Sequence, residues 1–574
     1  MIMKNNCKKI FLIFTLFFLL PCPVFAIDIP DAGKLIEGIG KKPIVPLDDQ
    51  SLQITIDILP DVMPSDKLPK EKIEVKGWKI TGNTIFEENV LKSQIPESLD
   101  KSLSLSDMMD VSKAITRYYR DKDYTLVYAY IPSQDIKDGI VEIAVLEGKF
   151  GKIDIQKDNS VRLRDEVINS VVKNSMKEGD IIQKKNIEKG LLLTKDLNNT
   201  GIETKATVKP GAEVGTADLI LQLQEASPLS VDTTVDNYGS RYTGYYRAGA
   251  TVTENDLSGW GESISVNGVH SDGLDYVKAS ASLPVGGWGS RLGAAYSAMS
   301  YDLGKEFDDL DANGNAYAQS AYFLHPLIRS REFNLYLHIQ YDHKTSEDNI
   351  DLAEWKKDLT INALTCSFFV NGKDNIYGGG SYNVTATGYS GDLSIDTPEA
   401  KIEDAETAQT DGSFSKVTLN AWRLQKLTDS FSGYLSLNGQ YNVGSRNLDS
   451  SEKFSIGGPL SVRSYPQGEA MSDSAYVLTG ELRYDLNQLF KEKIPGEIQL
   501  VGFVDYGAGR INEDTWPGAG EDNTRELSAG GLGLNWKMTH FTLKTSYALK
   551  LGSEDTTSDT DKDGCFWILA SMNF

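Results

Sequence analysis

The residues whose types and spacing could do chemistry are mostly acidic. Asp309, Asp311 and Asn313-Gly314, and again Asp559, Asp561 and Asp563-Gly564, present the alternating oxygen donors that open a calcium loop. Such a loop closes on a glutamate that supplies two oxygens, but Ser320 and Ala570 stand at that place. Both stretches are therefore expected to be acidic turns between strands, without a metal. His338 and His343 fall on opposite faces of one strand and cannot share an ion. Cys366 and Cys565, the two cysteines beyond residue 26, are too few for a thiolate site or a disulfide framework and read as isolated small apolar residues. No phosphate-binding loop and no serine nucleophile elbow occurs, so neither catalysis nor a cofactor is expected.

The chain that carries these residues has a formal net charge of -23 over 574 residues. A surface of that sign repels phosphate, which argues against nucleic acid as a partner. Lys4, Lys8 and Lys9 precede an apolar run from Ile10 to Leu20 and then Val24-Phe25-Ala26, the make-up of a secretory leader over 1–26. The run is shorter than the ~20 residues of a spanning helix, and no other comparable run occurs, so helical membrane spans are excluded.

Residues 27–70 contain a short helix-like piece near Asp31 to Lys41 and then Pro43, Pro46, Pro60, Pro64 and Pro69, which reads as an extended linker. From Ile73 to Glu225 one α+β pattern occurs twice, over 71–148 and 149–226. The first unit has a strand spanning Ile73 to Ile80 and a helix capped near Ser106, with Met108, Val111, Ile115 and Tyr118-Tyr119 on one stripe. Strands at Leu126-Ile131 and Ile140-Leu146 follow. The second has helical patterns near Val167-Val172 and Ile187-Leu197, then strands at Glu203-Val208 and Asp218-Leu223.

Over 227–574 the period is two throughout. Leu435, Leu437, Gly439 and Tyr441 alternate with Ser436, Asn438, Gln440 and Asn442, and Phe333, Leu335, Leu337 and Ile339 alternate with Asn334, Tyr336, His338 and Gln340. One apolar and one polar face is what a strand needs with lipid outside and water inside, and roughly 350 residues at about ten per strand plus connections give an even count near sixteen. A soluble sandwich also alternates, but these strands end in aromatics and show no blade-length repeat. The fold class expected is an all-β transmembrane barrel of about sixteen antiparallel strands preceded by two α+β units.

The segment Phe454-Ser455-Ile456-Gly457-Gly458-Pro459-Leu460-Ser461-Val462-Arg463-Ser464-Tyr465-Pro466 resembles the sixth-loop motif of two-partner secretion translocators (TpsB, hemolysin-activator type), whose core reads Val-Arg-Gly-Tyr. Gly502-Phe503-Val504-Asp505-Tyr506-Gly507 resembles the strand motif of the same family, and Ile131-Pro132-Ser133-Gln134-Asp135, Leu146-Glu147-Gly148 and Asp236-Asn237-Tyr238-Gly239 resemble its POTRA and first-strand sequences. The resemblance implies a plug helix, a linker, two POTRA domains and a sixteen-stranded barrel with a long loop in its lumen. It also implies a Gram-negative outer-membrane location with the POTRA domains in the periplasm, and a secreted exoprotein with a secretion domain as partner. The lipid bilayer and the barrel-assembly machinery are further partners, the latter engaged through an alternating C-terminal strand that ends at Phe574.

Within that frame, alternation along Glu497–Tyr506 turns Asp505 into the lumen. A carboxylate there can simply be solvated. An arginine fork grips a carboxylate with two hydrogen bonds, so Arg463 is expected to pair with Asp505, contributing on the order of 1 kcal/mol in a wet lumen and about 3 kcal/mol in a dry one. Val462, Arg463, Ser464 and Tyr465 form the expected loop motif, and Phe503, Asp505 and Gly507 the wall that receives it. Ser464 departs from the family glycine, which leaves the local backbone open, because glycine tolerates positive φ. Cargo is expected to add as an extra strand to an exposed POTRA edge, at Leu126, Val127 and Tyr128 or at Glu203 and its neighbours. A barrel-insertion factor of the same superfamily, with more or differently arranged POTRA units, and a passive porin, which needs no such units, are the competing functions.

Overall fold

The computed structural model describes residues 31, 32, 35, 53–56, 71–96, 102–197, 202–225, 227–487, 494–520 and 522–574. The expected leader, most of the proline-rich segment and residues 36–41 of the expected plug helix lie outside the described residues.

Strand β1 (Gln53–Ile56) comes first, then β2 (Lys72–Glu74) and β3 (Gly77–Thr81), helix α1 (Glu88–Lys92), β4 (Ser102–Ser104), α2 (Leu105–Asp121), β5 (Val127–Tyr130) and β6 (Ile140–Glu147). The single strand expected from Ile73 to Ile80 is split: β2 pairs with β4, while β3 pairs in parallel with β6. Lys76 and Gly77 both donate to the Gly139 carbonyl, which breaks the ladder between them. Helix α2 starts two residues earlier than expected. Ser104, not Ser106, is its cap: the Ser104 hydroxyl accepts from Asp107 N, and the Asp107 carboxylate accepts from Ser104 N at 2.8 Å, which satisfies two helix-end donors reciprocally. The α2 stripe of Val111, Ile115 and Tyr119 packs on Ile80, Val127, Ile143 and Val145. Glu147 closes this unit by accepting from Thr84 N at 2.8 Å, Ile85 N at 3.1 Å and the Tyr119 hydroxyl at 2.9 Å.

The second unit comprises β7 (Lys149–Lys157), α3 (Asp165–Ser175), α4 (Lys184–Lys195), β8 (Ile202–Pro210) and β9 (Thr216–Glu225), with sheet order β1-β8-β9-β7. The β8 edge that the sequence offered to cargo from Glu203 onward is thus occupied over 205–208. β1 lies along it in parallel, with Gln53 opposite Lys205 and Ile56 opposite Val208. Ile54 packs against the core of this unit, which holds β1 in place by apolar contact as well as by the ladder.

The rest is a closed antiparallel barrel: β10 (Leu229–Asp236) through β20 (Phe431–Asn442), then β23 (Ser474–Asp485) through β27 (Gly564–Asn573), with β27 pairing back onto β10. Leu435, Leu482, Val504 and Leu532 are exposed on the outer wall, while Asn334, His338, Ser436, Gln440 and Asn442 are buried inside. That division is what lipid outside and a polar lumen require. The second unit docks on the near rim. Arg329 grips Asp196 with Nε and Nη2 at 2.7 and 2.9 Å, and Arg291, itself buried, donates to the carbonyls of Leu197 and Gly261.

Candidate functional site

Between β20 and β23 the chain makes an excursion over 443–473 that folds back into the barrel. Two-residue strands β21 (Phe454–Ser455) and β22 (Met471–Ser472) pair at its base. Ile456, Val462 and Tyr465 are fully buried against the inner wall at Ala475, Val477, Val501, Phe503, Leu527, Ala529 and Ala548. Small wall residues make the approach possible: a Cβ on Gly507 would lie 2.4 Å from Cγ2 of Ile456 and 3.1 Å from Cγ2 of Val462. Glycine at 507 is therefore a condition for the loop to seat.

Arg463 lies at the centre of the contact. Its Nε and Nη2 donate to the two oxygens of Asp505, each at 2.8 Å, its Nη1 donates to Glu481 Oε1 at 3.0 Å, and its own backbone N–H donates to Asp505 Oδ2 at 3.2 Å. The guanidinium lies 3.4 Å from the centroid of the Phe503 ring, a cation–π contact that covers its face. The Asp505 side chain is 0% exposed and that of Arg463 12%, so the group sits in the dry regime where a broken pair is costly. Trp567 Nε1 donates to the Arg463 carbonyl at 2.7 Å, and the Tyr465 hydroxyl donates to the Glu554 carbonyl at 3.0 Å.

Two of these partners were missed in the sequence. Glu481 belongs to β23, where the same alternation as on β20 turns every second residue inward, and its meeting with Arg463 depends on the register that sets Glu481 opposite Phe503. Trp567 carried no signal. Ser464 needs no glycine: its φ stays negative, and the turn takes its positive φ at Gly458, Gly468 and Ala470.

The base of the loop reaches the opposite wall. Glu452 receives Lys344 and Lys416 at 2.7 and 2.9 Å, and Asp449 receives Lys357 at 2.8 Å. The N-terminal segment meets the same region. Ala32 N donates to lumen-facing Asp348 at 3.0 Å, Asp31 accepts from Ser450, and Ala32 and Leu35 are buried among Leu274, Met299, Tyr301 and Phe307.

The remaining expected sites are distributed. Phe574 is exposed, and its backbone exchanges two hydrogen bonds with Val231 at the closing seam, at 2.9 and 3.2 Å. Leu126 precedes β5 and packs against the second unit, and the Val127 side chain is buried, so neither presents a cargo-facing side chain. The outer main-chain donors of β5 are also taken, with Val127 N on the Tyr124 carbonyl and Ala129 N on Thr116 Oγ1. Two main-chain donors along the edge expected to receive cargo at Leu126, Val127 and Tyr128 are thus engaged within the unit, one of them by α2. The acidic turns hold no cluster of metal-ligating groups among the described residues. Asp559 accepts instead from the Tyr245 hydroxyl, and Asp561 from Thr556 N.

A barrel that is greasy outside and polar within, with a loop pinned in its lumen and α+β units docked on one rim, defines an outer-membrane translocator. The profile of the haemolysin secretion/activation protein ShlB/FhaC/HecB family matches residues 215–536, and that of the ShlB-type POTRA domain matches residues 73–148. The chain belongs to this family, and it is an outer-membrane transporter of two-partner secretion whose POTRA region faces the periplasm. The heme/hemopexin transporter protein HuxB of Haemophilus influenzae (strain 86-028NP) is 26% identical over 568 residues, 97% of each chain. The outer membrane transporter CdiB of Dickeya dadantii (strain 3937) is 22% identical over 422 residues, 71% of each. The solved structure of CdiB from Escherichia coli superposes with a TM-score of 0.70 at 18% identity, covering 90% of this chain and 93% of that one.

Proposed function

We propose that this chain takes an unfolded exoprotein bearing a secretion domain from the periplasm and passes it through its barrel without nucleotide hydrolysis or any catalytic step of its own. The observation that carries the reading is the Arg463 anchor. A loop that merely filled the barrel would need only apolar packing, whereas a charged fork on two carboxylates gives the loop one defined seat that it can leave and regain. Residues 149–226 act as a second POTRA domain. Asp31, Ala32 and Leu35 belong to a plug that must leave with the loop. Cargo adds to the β8 edge by displacing β1, since a four-residue strand is a weak occupant compared with a longer matching segment. The barrel-assembly machinery inserts the barrel into the bilayer by its last strand, ending at Phe574. An exoprotein that binds heme or hemopexin is the first cargo to test, because the relative matched along its full length is named for that transport.

Deleting the gene and assaying the culture medium tests the proposal. Loss of one large secreted protein is expected. General loss of outer-membrane barrels, or altered small-solute uptake alone, would overturn it.

A further inference from the structure

Six residues beyond Arg463, the same loop carries a second buried carboxylate. Glu469 is 0% exposed. Its Oε1 accepts from Thr557 N at 3.0 Å, the Thr557 hydroxyl at 2.8 Å and Arg525 Nη2 at 3.1 Å. Its Oε2 accepts from Ser558 N at 2.8 Å and the Ser558 hydroxyl at 2.6 Å. Its carbonyl meanwhile accepts from Ile456 N and Gly457 N, which ties the two arms of the lumen loop together at the same residue.

The geometry of the partners sets this carboxylate apart from an ordinary loop brace. Four of the five donors to this carboxylate come from one other loop, 551–563, which joins β26 (Phe541–Lys550) to β27. That loop is tied in turn to the connection after β10, where the Tyr245 hydroxyl donates to Asp559 at 2.8 Å. β10 and β27 are the strands that close the barrel, so the lumen loop is fastened at the far rim across the closing seam. Arg525 stands at the far-rim start of β25 (Thr524–Lys537), whereas Asp505 lies within β24 (Glu497–Arg510). The loop thus has an inner anchor on the wall and an outer one at the mouth.

We infer that Glu469 is a positioning residue for export that latches the lumen loop to loop 551–563, and that the outer mouth opens only when this latch releases. The inference rests on the reading that cargo leaves through the barrel. The carboxylate is an effective latch because ionised acceptors form hydrogen bonds about twice as strong as neutral ones. It is releasable because the far rim can supply water to each donor as it parts.

The test is ion conductance of the purified full-length protein in planar bilayers, without cargo, so that its failure is distinct from a failure to find the exported protein. Glu469→Gln should raise the frequency of large openings about tenfold or more, and Thr557→Ala/Ser558→Ala, which keeps both backbone donors, by a smaller factor. Opening at the wild-type frequency in a Glu469→Gln barrel that migrates as folded overturns the inference. Should Glu469→Gln not assemble, Glu469→Cys/Ser558→Cys bridged by a reducible bismaleimide replaces the latch with a covalent one. Secretion should then stop and resume on reduction, and undiminished secretion with the bridge complete overturns the inference.

Discussion

Replacing Arg463 by alanine removes a fork that makes three side-chain hydrogen bonds and leaves Asp505 fully buried without a cation. Breaking a buried pair in this way costs roughly 3–5 kcal/mol. If that cost falls on the seated state of the loop, the ratio of seated to released loop drops by about two to nearly four decades, at ~1.4 kcal/mol per tenfold. Val462 next to it is 0% exposed, so a cysteine there reports release directly. Maleimide labelling of Val462→Cys in intact outer membranes should accelerate by roughly that factor, up to the rate of a fully exposed thiol. Arg463→Lys should fall between, because a point charge cannot hold both Asp505 oxygens and Glu481 together. Adding Asp505→Ala to Arg463→Ala should cost less than the two single changes summed, since it removes the stranded carboxylate. Secretion should be abolished by Arg463→Ala while the barrel still assembles. A labelling rate within about twofold of the parent would refute the claim that this group holds the loop.

Other consequences follow from the same packing. Gly507→Val would drive a side chain into Ile456 and Val462, and overpacking of about 1–3 kcal/mol should unseat the loop, giving faster labelling at 462 with Arg463 intact. Glu147→Gln weakens an acceptor shared by Thr84, Ile85 and Tyr119 and should destabilise the first POTRA domain by ~2–4 kcal/mol, seen as faster hydrogen exchange in β6 and α2 with barrel exchange unchanged. Burial, and then the Glu147 contact, push the Tyr119 hydroxyl well above its ordinary value of 10.0. The folded state therefore favours the neutral phenol: its contribution is complete below pH 10 and lost as pH rises beyond, so exchange in α2, after division by the intrinsic base-catalysed rate, should accelerate above about pH 10 and not on acidification. Ile54→Pro removes a β1 donor and should free the β8 edge, so that photo-crosslinks from Glu203 or Lys205 to cargo increase; unchanged yields would count against displacement of β1.

Much of this molecule is written in local pattern. The period-two alternation is imposed by the pleat, so it fixed which residues face lipid and which face the lumen, and with that the inward aim of Asp505 and Glu481. Helix stripes and turn residues located the two α+β units, although the cap of α2 was placed at Ser106 because two serines compete and only the reciprocal bond with Asp107 selects Ser104. What pattern could not supply was pairing between distant segments. β1 is four residues from a stretch that reads as linker, and although Ile54-Thr55-Ile56 favour an extended backbone, what they pair with is the β8 edge some 150 residues away. Glu469 and Thr557 are 88 positions apart, and nothing local distinguishes that glutamate from a solvated one. The sequence determined the faces, because they follow from bond geometry over a few residues. Only the closed barrel decided the meetings, because they depend on register and on which loop folds inward, and those are properties of the whole.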